Sequence, residues 1–155
     1  MINNMVLACA FLMASIHVFF TKAYRDGYKM LDVYFLYFLV AGVGVIGAIG
    51  FVGHVFFSDQ VARLIGWPTG SPFQFEVGFH DGAWALLGFL CIRYRDDFWT
   101  ATAIGWSFFM LGATYGHIHQ TLLQGNFAPY NYGIILPDLL VPVILLSCVW
   151  LKSRQ

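Results

Sequence analysis

The chain has 155 residues, of which 59% are hydrophobic and 10% charged, and its Lys+Arg 8 balance its Asp+Glu 8. Soluble domains carry about 25% charged residues, so this composition cannot cover a water-facing surface. It excludes a soluble globular domain, a disordered chain and a nucleic-acid binder with a basic patch. A mean hydropathy of +0.71 leaves a multi-span membrane protein.

Apolar runs of about 20 residues predict five spans, at 5–21, 33–57, 73–92, 98–122 and 133–151. The fold class is all-α, a single transmembrane domain over 1–155 with short loops. The first run contains Leu7-Ala8-Cys9, which looks like a lipoprotein cleavage box, and Ala8-Cys9-Ala10, which looks like an A-x-A site. It has no basic stretch before it and continues to Phe20, so it reads as a true span. Lys22, Arg25 and Lys29 follow in the first loop, Arg93 and Arg95 lie in the third, and Lys152 and Arg154 close the chain; only Arg63 lies in the second loop. Positive charge marks the cytoplasmic side, which gives N-terminus out and C-terminus in, as an odd number of spans requires.

In the second span Gly42-x-Gly44-x-x-Gly47 matches a dinucleotide fingerprint but lies inside an apolar helix, where the motif loses its meaning. Glycines 44, 47, 50 and 53 instead predict a groove for a neighbouring helix, as do Gly112 and Gly116 in the fourth span. The second loop predicts an interfacial helix over 59–67, with Ser58-Asp59 as its N-cap, Trp67 at headgroup depth and Pro68 ending it. Loop 124–132, rich in Asn, Pro and Gly, reads as an ordered outer turn. The isolated Cys9, Cys91 and Cys148 read as packing residues.

Ionisable residues inside spans are costly and therefore candidate site residues. His54, Glu76, His80, His117 and Asp138 all fall within about 5–12 Å of the outer boundary at 1.5 Å per residue. Glu76 and His80, four apart, share a helix face, whereas Asp81 points elsewhere. His117 and His119 lie on opposing faces, and periodicity does not choose between them. His17 lies at the other membrane surface and reads as interfacial. Imidazoles with carboxylates form a nitrogen and oxygen ligand set suited to zinc, iron, copper or manganese. The sequence expectation is thus a mononuclear metal site drawn from His54, Glu76, His80, His117, His119 and Asp138. The alternatives are an interhelical hydrogen-bond cluster, a haem or quinone pocket, and a proton or ion path.

Residues 65–95, IGWPTGSPFQFEVGFHDGAWALLGFLCIRYR, followed by Phe98-Trp99 and Ala101, resemble the small bacterial DoxX-like membrane proteins. The shared pattern is a Pro-containing interfacial segment, then a helix with an acidic residue and small residues, then a Leu-Leu-Gly exit into a basic turn. The resemblance covers the last four spans and implies a four-helix bundle in the bacterial inner (cytoplasmic) membrane, with the first span as an additional N-terminal helix. It implies association with membrane oxidoreductase systems and carries over only the acid at Glu76. His80-Asp81 and Gly116-His117-Ile118-His119-Gln120 depart from that pattern. The expected function is metal binding near the outer face, as an oxidoreductase component or small membrane enzyme. The alternatives are a non-catalytic accessory subunit and an ion-conducting element. The expected partners are the bilayer and a membrane-protein partner or second copy, with no nucleic acid.

Overall fold

The computed structural model describes residues 2–154, and among them there is no strand. Helix α1 (Ile2–Thr21) ends where Lys22 turns left-handed at φ 57°, and a 3-10 turn, Ala23–Arg25, leads to Asp26. Asp26 caps α2 (Gly27–Phe38) by accepting from the backbone N–H of Tyr28 at 3.1 Å and of Lys29 at 3.3 Å. The Lys29 N–H is foremost in holding the Asp26 carboxyl below the usual carboxylate range. The cap starts the helix ahead of the predicted 33–57 run, so Asp32 is helical and pairs with Lys152 at the far end of the chain.

Helix α2 runs on through a π-helical stretch, Leu39–Val45, into α3 (Ile46–Phe56), making one 30-residue rod, Gly27–Phe56. The π-helical stretch lies where neighbours crowd the rod. A Cβ on Gly42 would lie 3.4 Å from Val141, and one on Gly44 would lie 2.9 Å from the Phe89 ring.

After Phe57 leaves the helical region, α4 (Ser58–Ile65) lies across the end of the rod. It differs from the predicted 59–67 helix at both ends. No side chain caps its start; Asp59 instead accepts from the Gly70 N–H at 3.0 Å. Gly66, at φ 81°, ends it before Pro68 is reached, with the Trp67 N–H donating back to the Ala62 carbonyl at 2.8 Å. That is the i to i−5 bond of a glycine-terminated helix.

Three further elements complete the bundle: α5 (Phe73–Leu90), the long α6 (Asp97–Gln124), and α8 (Ile135–Lys152), reached through the five-residue α7 (Pro129–Gly133). The predicted loop 124–132 is thus partly helical. Helix α5 lies along α3 and the π-helical stretch, α6 along α8, and α1 along α2. Phe35, Leu39, Val43, Trp99, Trp106, Val141 and Leu145 form the core among the rod, α6 and α8. Cys91 and Cys148 are buried, whereas Cys9 faces outward, contrary to its expected packing role.

The exterior is apolar: Phe11, Phe20, Phe75, Phe79, Phe108, Leu122 and Trp150 are all exposed. Among the described residues three helices are long and apolar enough to cross a membrane, Ile2–Thr21, Gly27–Phe56 and Pro129–Lys152. The other two long helices, α5 and α6, carry most of the buried polar residues: Gln74 and Asp81 on α5, and Thr102, Ser107, Thr114, His117 and Thr121 on α6.

The α3–α5 seam decides which side chains meet. A Cβ on Gly88 would sit 2.3 Å from the Gly44 nitrogen, one on Gly47 2.8 Å from the Asp81 carbonyl, and one on Gly78 2.6 Å from Val55. Small residues let the backbones touch, as in other membrane helix pairs. The predicted groove therefore holds at 44, 47 and 50, while Gly53 faces Val61 of α4. It fails at Gly112 and Gly116, which have nothing within 4 Å of a Cβ position.

Candidate functional site

Helix α5 buries Gln74, Gly78, Asp81, Ala85 and Gly88, a stripe at steps of four, three, four and three. This is the helical period, and the residues on it are small or polar. The large residues Phe75, Phe79, Leu86 and Phe89 point outward together with Glu76. Large side chains outside and small ones at helix contacts are the membrane-bundle arrangement. Glu76 is therefore on the exterior. Asp81, expected to point away, is buried instead, and Gly50 leaves the room for it: a Cβ there would lie 2.2 Å from Oδ2.

On α6 the buried stripe runs through Trp106, Met110, Thr114, His117 and Thr121. It selects His117 over His119, whose ring packs beside Tyr115 at a centroid distance of 6.1 Å. The four buried hydroxyl residues of that stripe, Thr102, Ser107, Thr114 and Thr121, mark the interior face better than Gly112 and Gly116 do.

Between the glycine-packed pair α3 and α5 and the opposing α6 and α8 lies a cavity of about 420 Å³, lined also by Ile2 and Asn3 of α1 and, toward α4 and α7, by Leu64, Trp67 and Tyr130. Its wall is mostly apolar. The imidazole and carboxyl groups on it are His54 from α3, Asp81 from α5, His117 from α6 and Asp138 from α8. Three of the six predicted site residues, His54, His117 and Asp138, therefore line one cavity. Glu76, His80 and His119 do not, and Asp81 takes the position on α5 that Glu76 and His80 were expected to fill.

His80 stands at the edge. Its Nε2 accepts from the Trp84 indole N–H at 3.0 Å, its ring rests on Phe109 at 4.2 Å, and its Nδ1 lies 3.6 Å from Asp81 Oδ1. The lone pair that would have bound a metal is engaged by Trp84. Among the described residues no three His, Cys, Asp or Glu side chains come close enough together to hold a metal ion.

His117 is fixed by a network that sequence reading missed. The Asn131 amide, wholly buried, donates to the carbonyls of His117 (3.3 Å) and Asn126 (2.8 Å) and to Thr121 Oγ1 (2.9 Å). Those three acceptors orient the amide, so Asn131 Oδ1 faces His117 Nδ1 at 2.8 Å and accepts its proton. The neutral ring then presents a lone pair at Nε2. Nε2 faces Asp138 Oδ2 at 4.0 Å, beyond hydrogen-bond reach. The network extends through Asn126, which donates to the Ile65 carbonyl (2.9 Å) and to Gln120 Oε1 (3.2 Å), and through Trp67, which donates to Gln120 Oε1 at 2.8 Å. It ties α4, α6 and α7 into one end-plate, and the Trp67 ring stacks on His117 within 13° of parallel. On the opposite wall His54 Nδ1 bonds to the buried Gln74 amide oxygen.

The carboxyl groups have no such partners. Asp81 and Asp138 are 7% and 4% exposed, and neither accepts a hydrogen bond from any described residue. Pro142, lacking an N–H, also leaves the carbonyl of Asp138 without its helical donor. None of the eight Lys and Arg residues reaches the cavity. The indole N–H of Trp106, also on this wall, is buried and unpartnered.

The fold and this cavity define a class: an all-helical bundle with candidate membrane-crossing helices around a chamber lined by buried acids. Residues 1–155 match the family model described as a family of unknown function, DUF6790, and the chain belongs to that family. The match includes α1, which the DoxX-like resemblance left aside. No curated protein and no solved structure matches the chain.

Proposed function

We propose that this protein is a five-span membrane protein, N-terminus out and C-terminus in, that binds a small amphipathic molecule in the chamber between α3, α5, α6 and α8. The observation that carries this reading is a mostly apolar cavity of about 420 Å³ whose polar wall groups, Asp81, Asp138 and Nε2 of His117, have no donor from the chain. Groups buried at this cost are retained where a ligand completes them. The distribution of basic residues supports the orientation, and the DoxX-like resemblance supports a bacterial inner membrane. Under this topology the α4 and α7 end faces outward.

The test is extraction of the purified protein and mass spectrometry of the released small molecules, set against Gly116→Phe, whose ring would enter the chamber from a position with nothing within 4 Å. A molecule present in the wild type and absent from the variant is expected. Identical extracts would overturn the reading. For the topology, cysteines at Thr69 and Asn126 should react with an impermeant maleimide on intact spheroplasts, and one at Asp97 should not.

A metal ion is the second reading, and one observation favours it: the Nε2 lone pair of His117 is aimed at Asp138 Oδ2 across 4.0 Å, while the other ring nitrogen is held by Asn131 as the outer partners of metal-bound histidines are. His117 and Asp138 would hold zinc, iron, copper or manganese, with the remaining ligands supplied from outside the chain. Near-stoichiometric metal in purified protein, lost in His117→Ala, is the outcome that reading requires.

A further inference from the structure

The carboxylates of the chamber wall face no cationic side chain, and the donors beside them are neutral: the unpartnered Trp106 N–H and the amides of Asn3 and Gln120. Asp81 and Asp138 offer only oxygens when ionised, His117 Nε2 offers a lone pair, and no Lys or Arg side chain balances them. An anion buried without a counter-charge is strongly destabilising, and the tautomer fixed by Asn131 keeps His117 from donating to its neighbour. Among the largely aliphatic remainder of the wall stand the aromatic side chains of Trp67, Phe73, Trp106 and Phe109. Aromatic faces attract cations, most strongly where water is excluded. From this pairing of unneutralised acids with aromatic side chains, and resting on the small-molecule reading above, we propose that the occupant is a lipophilic cation, an ammonium group on a compact apolar body. The ammonium supplies N–H donors to Asp138 and to Nε2 of His117, which lie 4.0 Å apart, the Asp81 carboxylate on the same cavity wall adds negative charge, and the body of the molecule fills the apolar remainder. A bare metal ion would satisfy the charge but leave most of the chamber empty.

The test uses the full chain in mild detergent and three probes of matched shape: 3-phenylpropylammonium, 3-phenylpropan-1-ol and 3-phenylpropanoate. Calorimetric titration should give saturable binding of the ammonium, at least tenfold tighter than the alcohol, with no binding of the carboxylate. Asp138→Asn and Asp81→Asn should each weaken the ammonium at least tenfold while leaving the alcohol unchanged, and Glu76→Gln, on the exterior, should bind as wild type. The comparison of probes on the wild-type chain keeps the proposal open to refutation even if either aspartate variant fails to fold. Equal affinity for ammonium and alcohol would overturn the cation proposal and leave the small-molecule reading standing. Binding of none of the probes, with the wild-type and Gly116→Phe extracts also identical, would overturn both. Stoichiometric zinc binding that none of the probes displaces would overturn the cation proposal in favour of the metal.

Discussion

The seam between α3 and α5 and the chamber beside it use the same residue to opposite ends. Gly47, Gly78 and Gly88 face backbone or side-chain atoms so near that a methyl group has no place to go. Gly116, on the wall of the chamber, faces open space. A glycine in an apolar helix thus removes a side chain either so that a neighbour can touch or so that nothing does, and only the position of the neighbour distinguishes the two. The seam has a second consequence: by drawing α5 against α3 it carries Asp81 inside and leaves Glu76 out.

The sharpest way to break this contrast is Gly88→Val, which must push α5 from the Gly44 backbone. We expect a loss of about 3 kcal/mol or more, read as the unfolding midpoint in detergent. The end-plate that holds His117 comes next. Asn131→Ala strands the proton of His117 Nδ1 and removes the donor shared by two carbonyls and Thr121, for an expected loss of about 2 kcal/mol in the same assay. Gly116→Ala should move stability the other way, by up to about 1 kcal/mol, since an open helical glycine yields only its conformational cost. A loss of stability there would mean that the chamber is narrower than the geometry gives. Last, Glu76→Gln and His119→Ala should each lie within about 0.5 kcal/mol of wild type, because neither lines the chamber. A large effect of either would show that the exterior of α5 or α6 is itself a contact surface.

The sequence by itself determined that the chain is helical and apolar enough to cross a membrane, and it determined roughly where the helices run. Composition and run length are local quantities that no partner alters. It also singled out His54, His117 and Asp138, since an ionisable residue in an apolar run stands out whatever surrounds it. Which face of each helix turns inward was only half legible. The period of Gln74, Gly78, Asp81, Ala85 and Gly88 and the hydroxyl residues flanking His117 mark the inward faces, whereas the four-residue spacing of Glu76 and His80 picks out a face of α5 that is exposed. Tertiary structure alone decided the rest. The tautomer of His117 follows from an Asn131 amide whose three acceptors come from His117, Thr121 and Asn126, and the volume of the chamber follows from how α3, α5, α6 and α8 are set around it. Both are properties of where separate segments meet, and the hydropathy of any one segment carries no trace of them.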